Sequence, residues 1–216
     1  MNPDPRLLVA KHFDFIDGFA VNKGADFLQV VQVAPVAALI LRSTNASPIQ
    51  ITTETPHGLT TGNSVIIVGH AVNTAANVTA ANPSWVVTVI DSLNFTLNSS
   101  VGNGVGGASG EVCSIFDLTG YTAEMQIMDS PGGNIIITPS VTIPTPTNGQ
   151  IQISIPAANT LNPVVPNTNV PMADDPVDTT TRPVNSGMYE LWIKNSSYAV
   201  KILSGVVQFA TNMMNP

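Results

Sequence analysis

His57, His12, Cys113 and two groups of aspartates are the residues of this chain best suited to proton transfer, nucleophilic attack or metal ligation. His57 lies in Pro56-His57-Gly58, and a general base needs a proton donor within hydrogen-bond reach and a group that orients it. Neither is identifiable nearby in sequence, so His57 reads as a turn histidine. His12 stands close to Asp14 and Asp17, without a distant partner for acid-base or metal chemistry, and that group reads as part of a solvated arm. Asp174, Asp175 and Asp178 offer oxygen ligands of the kind calcium takes, but they lack the spacing and turn glycine of the calcium loop. They read as a solvated acidic loop. Cys113 is the only cysteine, which excludes an intrachain disulfide and a cysteine-rich zinc site. Following Val112, it reads as a small buried thiol. Gly102-Asn103-Gly104 and Gly106-Gly107 are followed by no lysine and hydroxyl residue in phosphate-cradling order, and by no helix; they read as a flexible β connection. Trp85, Trp192, Tyr121 and Tyr189 are the side chains on which a sugar could stack, yet each lies in or beside an alternating strand pattern that points to core or interface packing. No catalytic, cofactor-binding or metal-ligating residue is expected, and the chain reads as no enzyme.

The elements that carry these residues must be mostly β. Charged residues make up 10% of the 216 residues and apolar residues 44%, so threonine, asparagine, serine, glycine and proline fill the exterior in place of lysine and glutamate. That composition suits strands joined by many turns and disfavours long solvated helices. The net charge of −7, with seven lysines and arginines, leaves too few cations to neutralise a run of phosphates. Direct nucleic-acid binding is not expected. The longest apolar stretch, Phe27 to Leu41, is interrupted by Gln29, Gln32 and Pro35 and falls short of the roughly 20 residues of a membrane-crossing helix. Asp4, Asp14 and Asp17 break any basic-then-apolar order, so no secretory signal is expected. The Asn-x-Ser/Thr triplets at Asn45, Asn77, Asn94, Asn98 and Asn195 follow from the composition.

Along the chain, Phe27 to Val33 predicts a strand, and Val36 to Leu41 a strand or short helix. After a polar linker from Ser43 to Pro48, Ile49, Ile51 and Thr53 alternate with Gln50 and Thr52 in the two-residue period of a half-buried strand. Ser64 to Val68, Trp85 to Ile90 and Phe95 to Leu97 predict further strands, the last two joined by the hairpin connection Asp91 to Asn94. Beyond the glycine-rich stretch Gly102 to Gly110, alternation from Tyr121 to Met128 and apolar runs at Ile135 to Thr138, Ile151 to Ile155 and Met188 to Lys194 continue the pattern. Tyr198 to Leu203 and Val206 to Phe209 are separated by Ser204-Gly205, which predicts a bulge or sharp bend. Asn162 to Ser186 is too long for a hairpin turn and predicts an interaction loop or a flexible segment.

Two stretches resemble known families. Ile51-Thr52-Thr53-Glu54-Thr55-Pro56-His57-Gly58-Leu59-Thr60-Thr61-Gly62-Asn63-Ser64-Val65, followed by Trp85-Val86-Val87-Thr88-Val89-Ile90-Asp91-Ser92-Leu93-Asn94-Phe95-Thr96-Leu97, resembles a small β module of phage tail and virion proteins. That module is similar in fold to the first catalytic cysteine half-domain of ubiquitin-activating enzymes. Phe116 to Ile127, Ile151 to Thr160, Gly187 to Ile193 and Lys201 to Val207 resemble an immunoglobulin-like phage domain similar to the N-terminal domain of baseplate upper proteins. Asn162 to Ser186 departs from it in length.

The resemblances imply an all-β chain: an immunoglobulin-like β-sandwich over 21–44 and 115–216 with an inserted small β-barrel-like module over 45–114. Residues 1–20, with Pro3, Pro5 and the apolar-aromatic stretch through Phe13, Phe15 and Phe19, read as an N-terminal arm or an edge strand. The resemblances also imply a structural component of a bacteriophage virion, an assembly adaptor of the baseplate, tail or head-tail region. Its expected partners are other virion proteins and further copies of itself, with no membrane. A capsid decoration or cement protein, and a tail module that binds host glycan, are the alternatives.

Overall fold

The structure, a computed structural model, describes residues 18–79, 81–161 and 186–210. His12, Asp14, Asp17, most of the expected arm, Asp174, Asp175, Asp178 and all but the last residue of the expected 162–186 loop lie outside the described residues. Those described are mostly β. Contacts divide the described residues into two compact units, one built on Gln32–Asp117 with Thr147–Gly149, the other on the remaining described residues.

The first unit is a closed barrel. Its strands are β3 (Val36–Ser43), β4 (Ile49–Thr53), β5 (Ser64–Val68), β6 (Trp85–Val89), β7 (Asn94–Leu97) and β8 (Glu111–Ser114). The order around the wall is β3-β4-β7-β6-β5-β8, with every pairing antiparallel. Closure leaves no strand edge. The two-residue period of β4 and β7 aims Ile49, Ile51, Phe95 and Leu97 inward, where they pack with Ile40, Val65, Ile67, Val87 and Val112. Leu59 and Ala76, from the connections, join the same core. β5 is apolar from Val65 to Val68 because Val65, Ile66 and Ile67 are buried whichever face they take: Val65 and Ile67 line the barrel, while Ile66 packs outside it with Ala34 and Cys113.

Residue 45, the expected start of this module, falls inside a hairpin of the barrel. The polar residues after Ser43 form the turn between β3 and β4, in which Thr44 N–H donates to the Gln50 carbonyl and Gln50 N–H donates to Thr44 Oγ1. Val36–Ser43 is a strand and closes the barrel between β4 and β8.

The second unit holds β1 (Gly18–Asn22), β2 (Phe27–Gln32, whose last residue falls in the barrel unit), β9 (Thr122–Met128), β10 (Ile135–Ile137), β11 (Ser140–Thr145), β12 (Gln150–Ile155), β13 (Ser186–Lys194) and β14 (Ala199–Ala210). One sheet runs β1-β14-β13-β9-β10 and another β11-β12-β2. β1, which takes up the last residues of the expected arm, lies parallel to β14, pairing Gly18 with Val206 and Asn22 with Ala210. β11 carries Pro144 and occupies an edge, where the missing N–H costs no ladder bond. Alternation along β13 buries Tyr189, Leu191 and Ile193 and leaves Glu190, Trp192 and Lys194 half-buried. β9 answers with Met125 and Ile127 buried and Glu124 and Gln126 exposed.

The expected interruption at Ser204-Gly205 is absent: β14 runs unbroken from Ala199 to Ala210. The register shift lies three residues before Gly205, where Leu191 faces Leu203 and Trp192 faces Lys201, leaving Ile202 as the extra residue. Gly205 has a different purpose. It pairs with Tyr189, whose ring lies where a side chain on residue 205 would be, 2.9 Å from an added Cβ.

Candidate functional site

Among the described residues, a group of buried polar side chains sits at one end of the barrel, where the turn after β5, the glycine-rich connection and the end of β3 meet. His70 is its centre, 1% exposed, with Ser43 at 3% and Asn73 at 0%. The His70 backbone is fixed by Asn77, whose Oδ1 accepts from His70 N–H and whose Nδ2 donates to the His70 carbonyl. The ring is then held on both sides. Nδ1 accepts from Asn73 N–H at 3.2 Å and lies 3.4 Å from Ser109 Oγ, while Nε2 lies 2.8 Å from Ser43 Oγ. Burial lowers the His70 pKa below its ordinary value.

A serine beside a buried histidine invites comparison with a nucleophile and its base, and the hydrogen bonds decide against it. Because a backbone N–H occupies Nδ1, the ring proton sits on Nε2 and is donated to Ser43 Oγ. A base must take the hydroxyl proton at that position. Ser43 Oγ also accepts from Gly107 N–H at 3.2 Å, so its lone pairs are directed into the fold.

The cluster holds the connection between β7 and β8 against the barrel. Gly107 and Ser43 exchange backbone hydrogen bonds in both directions, Gly102 N–H donates to the Ala46 carbonyl, and Gly104 N–H donates to Asn45 Oδ1. Ala71 N–H donates to Ser109 Oγ. The expectation of a flexible connection is corrected here. The glycines are places of close approach: an added Cβ would come within 2.6 Å of the Ser43 carbonyl at Gly106 and within 2.7 Å of Val72 at Gly107. His70, Asn73 and Ser109 were not legible as a group, since 27 residues separate His70 from Ser43 and 39 separate it from Ser109.

His57 sits elsewhere on the barrel and is, as the sequence indicated, a turn residue. Its Nδ1 accepts from Leu59 N–H at 2.9 Å, its Nε2–H donates to the Asp91 carbonyl at 3.0 Å, and its ring stands edge-on to Phe95. It therefore ties the turn after β4 to the β6–β7 hairpin. That hairpin is closed by Asp91, whose Oδ1 accepts from Leu93 and Asn94 N–H; these bonds, with that to the Asn94 side chain, hold its carboxyl below the usual range.

In the second unit the outward face of β9, β13 and β14 carries a ladder of charge. Lys194 bonds Glu124 at 2.5 Å and Lys201 bonds Glu190 at 2.8 Å, the latter bond depressing the Glu190 pKa. Trp192 lies among them. Its Nε1–H donates to Glu190 Oε2 and the Lys201 ammonium stands over its ring, 5.8 Å from the centroid. The face a sugar would need is thus partly taken. Trp85 packs against the barrel core and donates to the Ala76 carbonyl, and Tyr189 is buried. Tyr121, beside β9, meets Tyr198 across the sheet end with hydroxyl oxygens 2.5 Å apart. Burial, then that hydrogen bond, push the Tyr121 pKa up to about 12.

Cys113 is buried. Among the described residues, no three His, Cys, Asp or Glu side chains are grouped to hold a metal ion, and no helix is long and apolar enough to cross a membrane. No protein-family model and no curated protein matches the chain.

Proposed function

We propose that this chain is a structural component of a bacteriophage particle that acts as an assembly adaptor through contacts between subunits. One observation carries the assembly reading: β3 turns large apolar side chains outward from the barrel wall, with Leu39 51% and Leu41 53% exposed. Two residues apart on one strand, they share a face. A wall bearing exposed leucines, with Arg42 beside Leu41 and Glu111 across from Leu39 as its charges, suits a surface that neighbouring subunits cover. The phage assignment rests on the resemblance of 51–97 to the virion module and of 116–207 to the baseplate domain.

The strand order supports an immunoglobulin-like sandwich as the frame. In such sandwiches the second, fifth and fourth strands share one sheet while the third, sixth and seventh share the other. Here β2, β12 and β11 share one sheet, and β9, β13 and β14 the other, with β10 and β1 at its edges. In chain order, the barrel strands fall between β2 and β9, where an insertion between the second and third strands of the sandwich would lie.

Quantitative mass spectrometry of purified particles from a host producing the chain tests the assignment. The expected result is a fixed copy number per particle, lost on Leu39→Lys/Leu41→Lys with the isolated variant still folded. Absence of the wild-type chain from purified particles would overturn it.

A further inference from the structure

We propose that His70 is an acid-triggered latch: proton uptake at its Nδ1 releases the end of the barrel built from residues 70–77 and 102–109. A second ring proton would find a poor acceptor, since Ser109 Oγ lies 3.4 Å from Nδ1. Nδ1 already faces a donor, Asn73 N–H at 3.2 Å, and Nε2 is engaged by Ser43 Oγ at 2.8 Å. A proton on Nδ1 would place donor against donor, and the 70–73 turn must open to relieve it. Opening also removes the Asn73 Nδ2–H bond to the Thr44 carbonyl and the bond from Ala71 N–H to Ser109 Oγ, which hold the neighbouring connections in place.

Nothing around the ring compensates a positive charge. The side chains bonded to it, Ser43 from β3 and Ser109 from the glycine-rich connection, are neutral, and its own turn supplies a backbone N–H. Arg42 on β3 is exposed and Glu111 at the start of β8 is half-buried; burial alone accounts for the lowered basicity of the ring. The cluster is also short of one bond when closed, since Asn73 Oδ1 is buried with no hydrogen-bond partner. A site with an unsatisfied acceptor and an uncompensated ring is a natural first place to yield in acid.

Amide hydrogen exchange on the full chain, corrected for intrinsic rates and compared at about pH 7.5 and about pH 5, tests the latch. Opening seen at Asn73, Ala71 and Gly107 should rise up to about tenfold for each pH unit below the unfolded histidine value, with Ile51 and Phe95 unchanged. His70→Gln, which cannot titrate, should remove that dependence. Equal acid-induced opening in His70→Gln would overturn the proposal. If that variant does not fold, the wild-type ring decides by NMR: a depressed titration with acid-dependent opening at these amides supports the latch, and an ordinary titration or amides indifferent to pH refutes it.

Discussion

Replacing Gly205 with alanine tests why β14 carries a glycine at its centre. An added Cβ would stand 2.9 Å from Tyr189 Cε1, 3.1 Å from its hydroxyl oxygen and 3.2 Å from Cζ. Tyr189 is 1% exposed and paired directly across the ladder, so its ring cannot swing into solvent, and overpacking of this kind costs about 1–3 kcal/mol. Against that, alanine is favoured over glycine inside a strand by about 0.5–1 kcal/mol. The net expectation is a loss centred near about 1 kcal/mol and spanning about 0–2.5 kcal/mol, with each kcal/mol lowering the melting temperature by roughly 2–4 °C in a chain of this size. Urea and thermal unfolding followed by circular dichroism measure it. Combining Gly205→Ala with Tyr189→Leu isolates the contact: the pair should cost less than the sum of the single changes by about 1 kcal/mol. Strict additivity of the two changes would refute the close-approach argument and return Gly205 to the role of a bend.

A fragment spanning 32–117 should unfold cooperatively, whereas 45–114, which lacks β3, should give a poorly dispersed amide spectrum, since removing one wall strand leaves two unpaired edges. His57→Ala should destabilise the chain by about 2–4 kcal/mol in urea unfolding, because it strips the partner from the Leu59 N–H and the Asp91 carbonyl and opens a hole beside Phe95. Tyr198→Phe should move the Tyr121 ionisation from about 12 part of the way toward 10.0 in a spectrophotometric titration, burial remaining as the larger cause. The folded phenol has the higher pKa, so its contribution to stability is complete below about pH 10 and is lost as pH rises toward the folded value. Wild type should therefore lose more stability across that window than Tyr198→Phe.

The strands were largely legible because their cores obey a two-residue period that a sequence displays directly. Ile49, Ile51, Phe95 and Leu97 alternate with polar neighbours and line the barrel; Tyr189, Leu191 and Ile193 do the same in β13. β11 escaped notice because Pro144 breaks the pattern of a paired strand, and an edge tolerates what an interior does not. β8 is short and follows a glycine-rich stretch that hides its partners. Gly205 shows a further limit: a glycine in a strand signals a bulge or a close approach, and only the cross-strand register, with Tyr189 opposite, chooses. The His70 cluster was invisible for the same reason, since its members come from the end of β3 and from two connections and meet only once the barrel closes.

The asparagines that fill out the low-charge exterior also have a structural purpose, and that purpose bears on the proposed assembly role. Asn45 accepts from Gly104 N–H, Asn63 from Thr60 N–H, Asn77 from His70 N–H, and Asn195 from Ser197 and Tyr198 N–H. Each satisfies a backbone group that a turn leaves without a strand partner. Neutral amides do this without building up charge, so connections can be held in place while the exterior keeps few charges. A subunit whose loops are fixed before it meets a neighbour loses less conformational entropy on docking than one whose loops must order in the contact. On the proposed assembly role, a wall such as the Leu39 and Leu41 face of β3 can then be covered with few charges to desolvate besides Arg42 and Glu111. Substituting Asn45 with aspartate, which preserves the acceptor but adds charge, separates the two effects: the connection should stay protected from amide exchange at Gly104, while any loss of particle incorporation would report the charge alone.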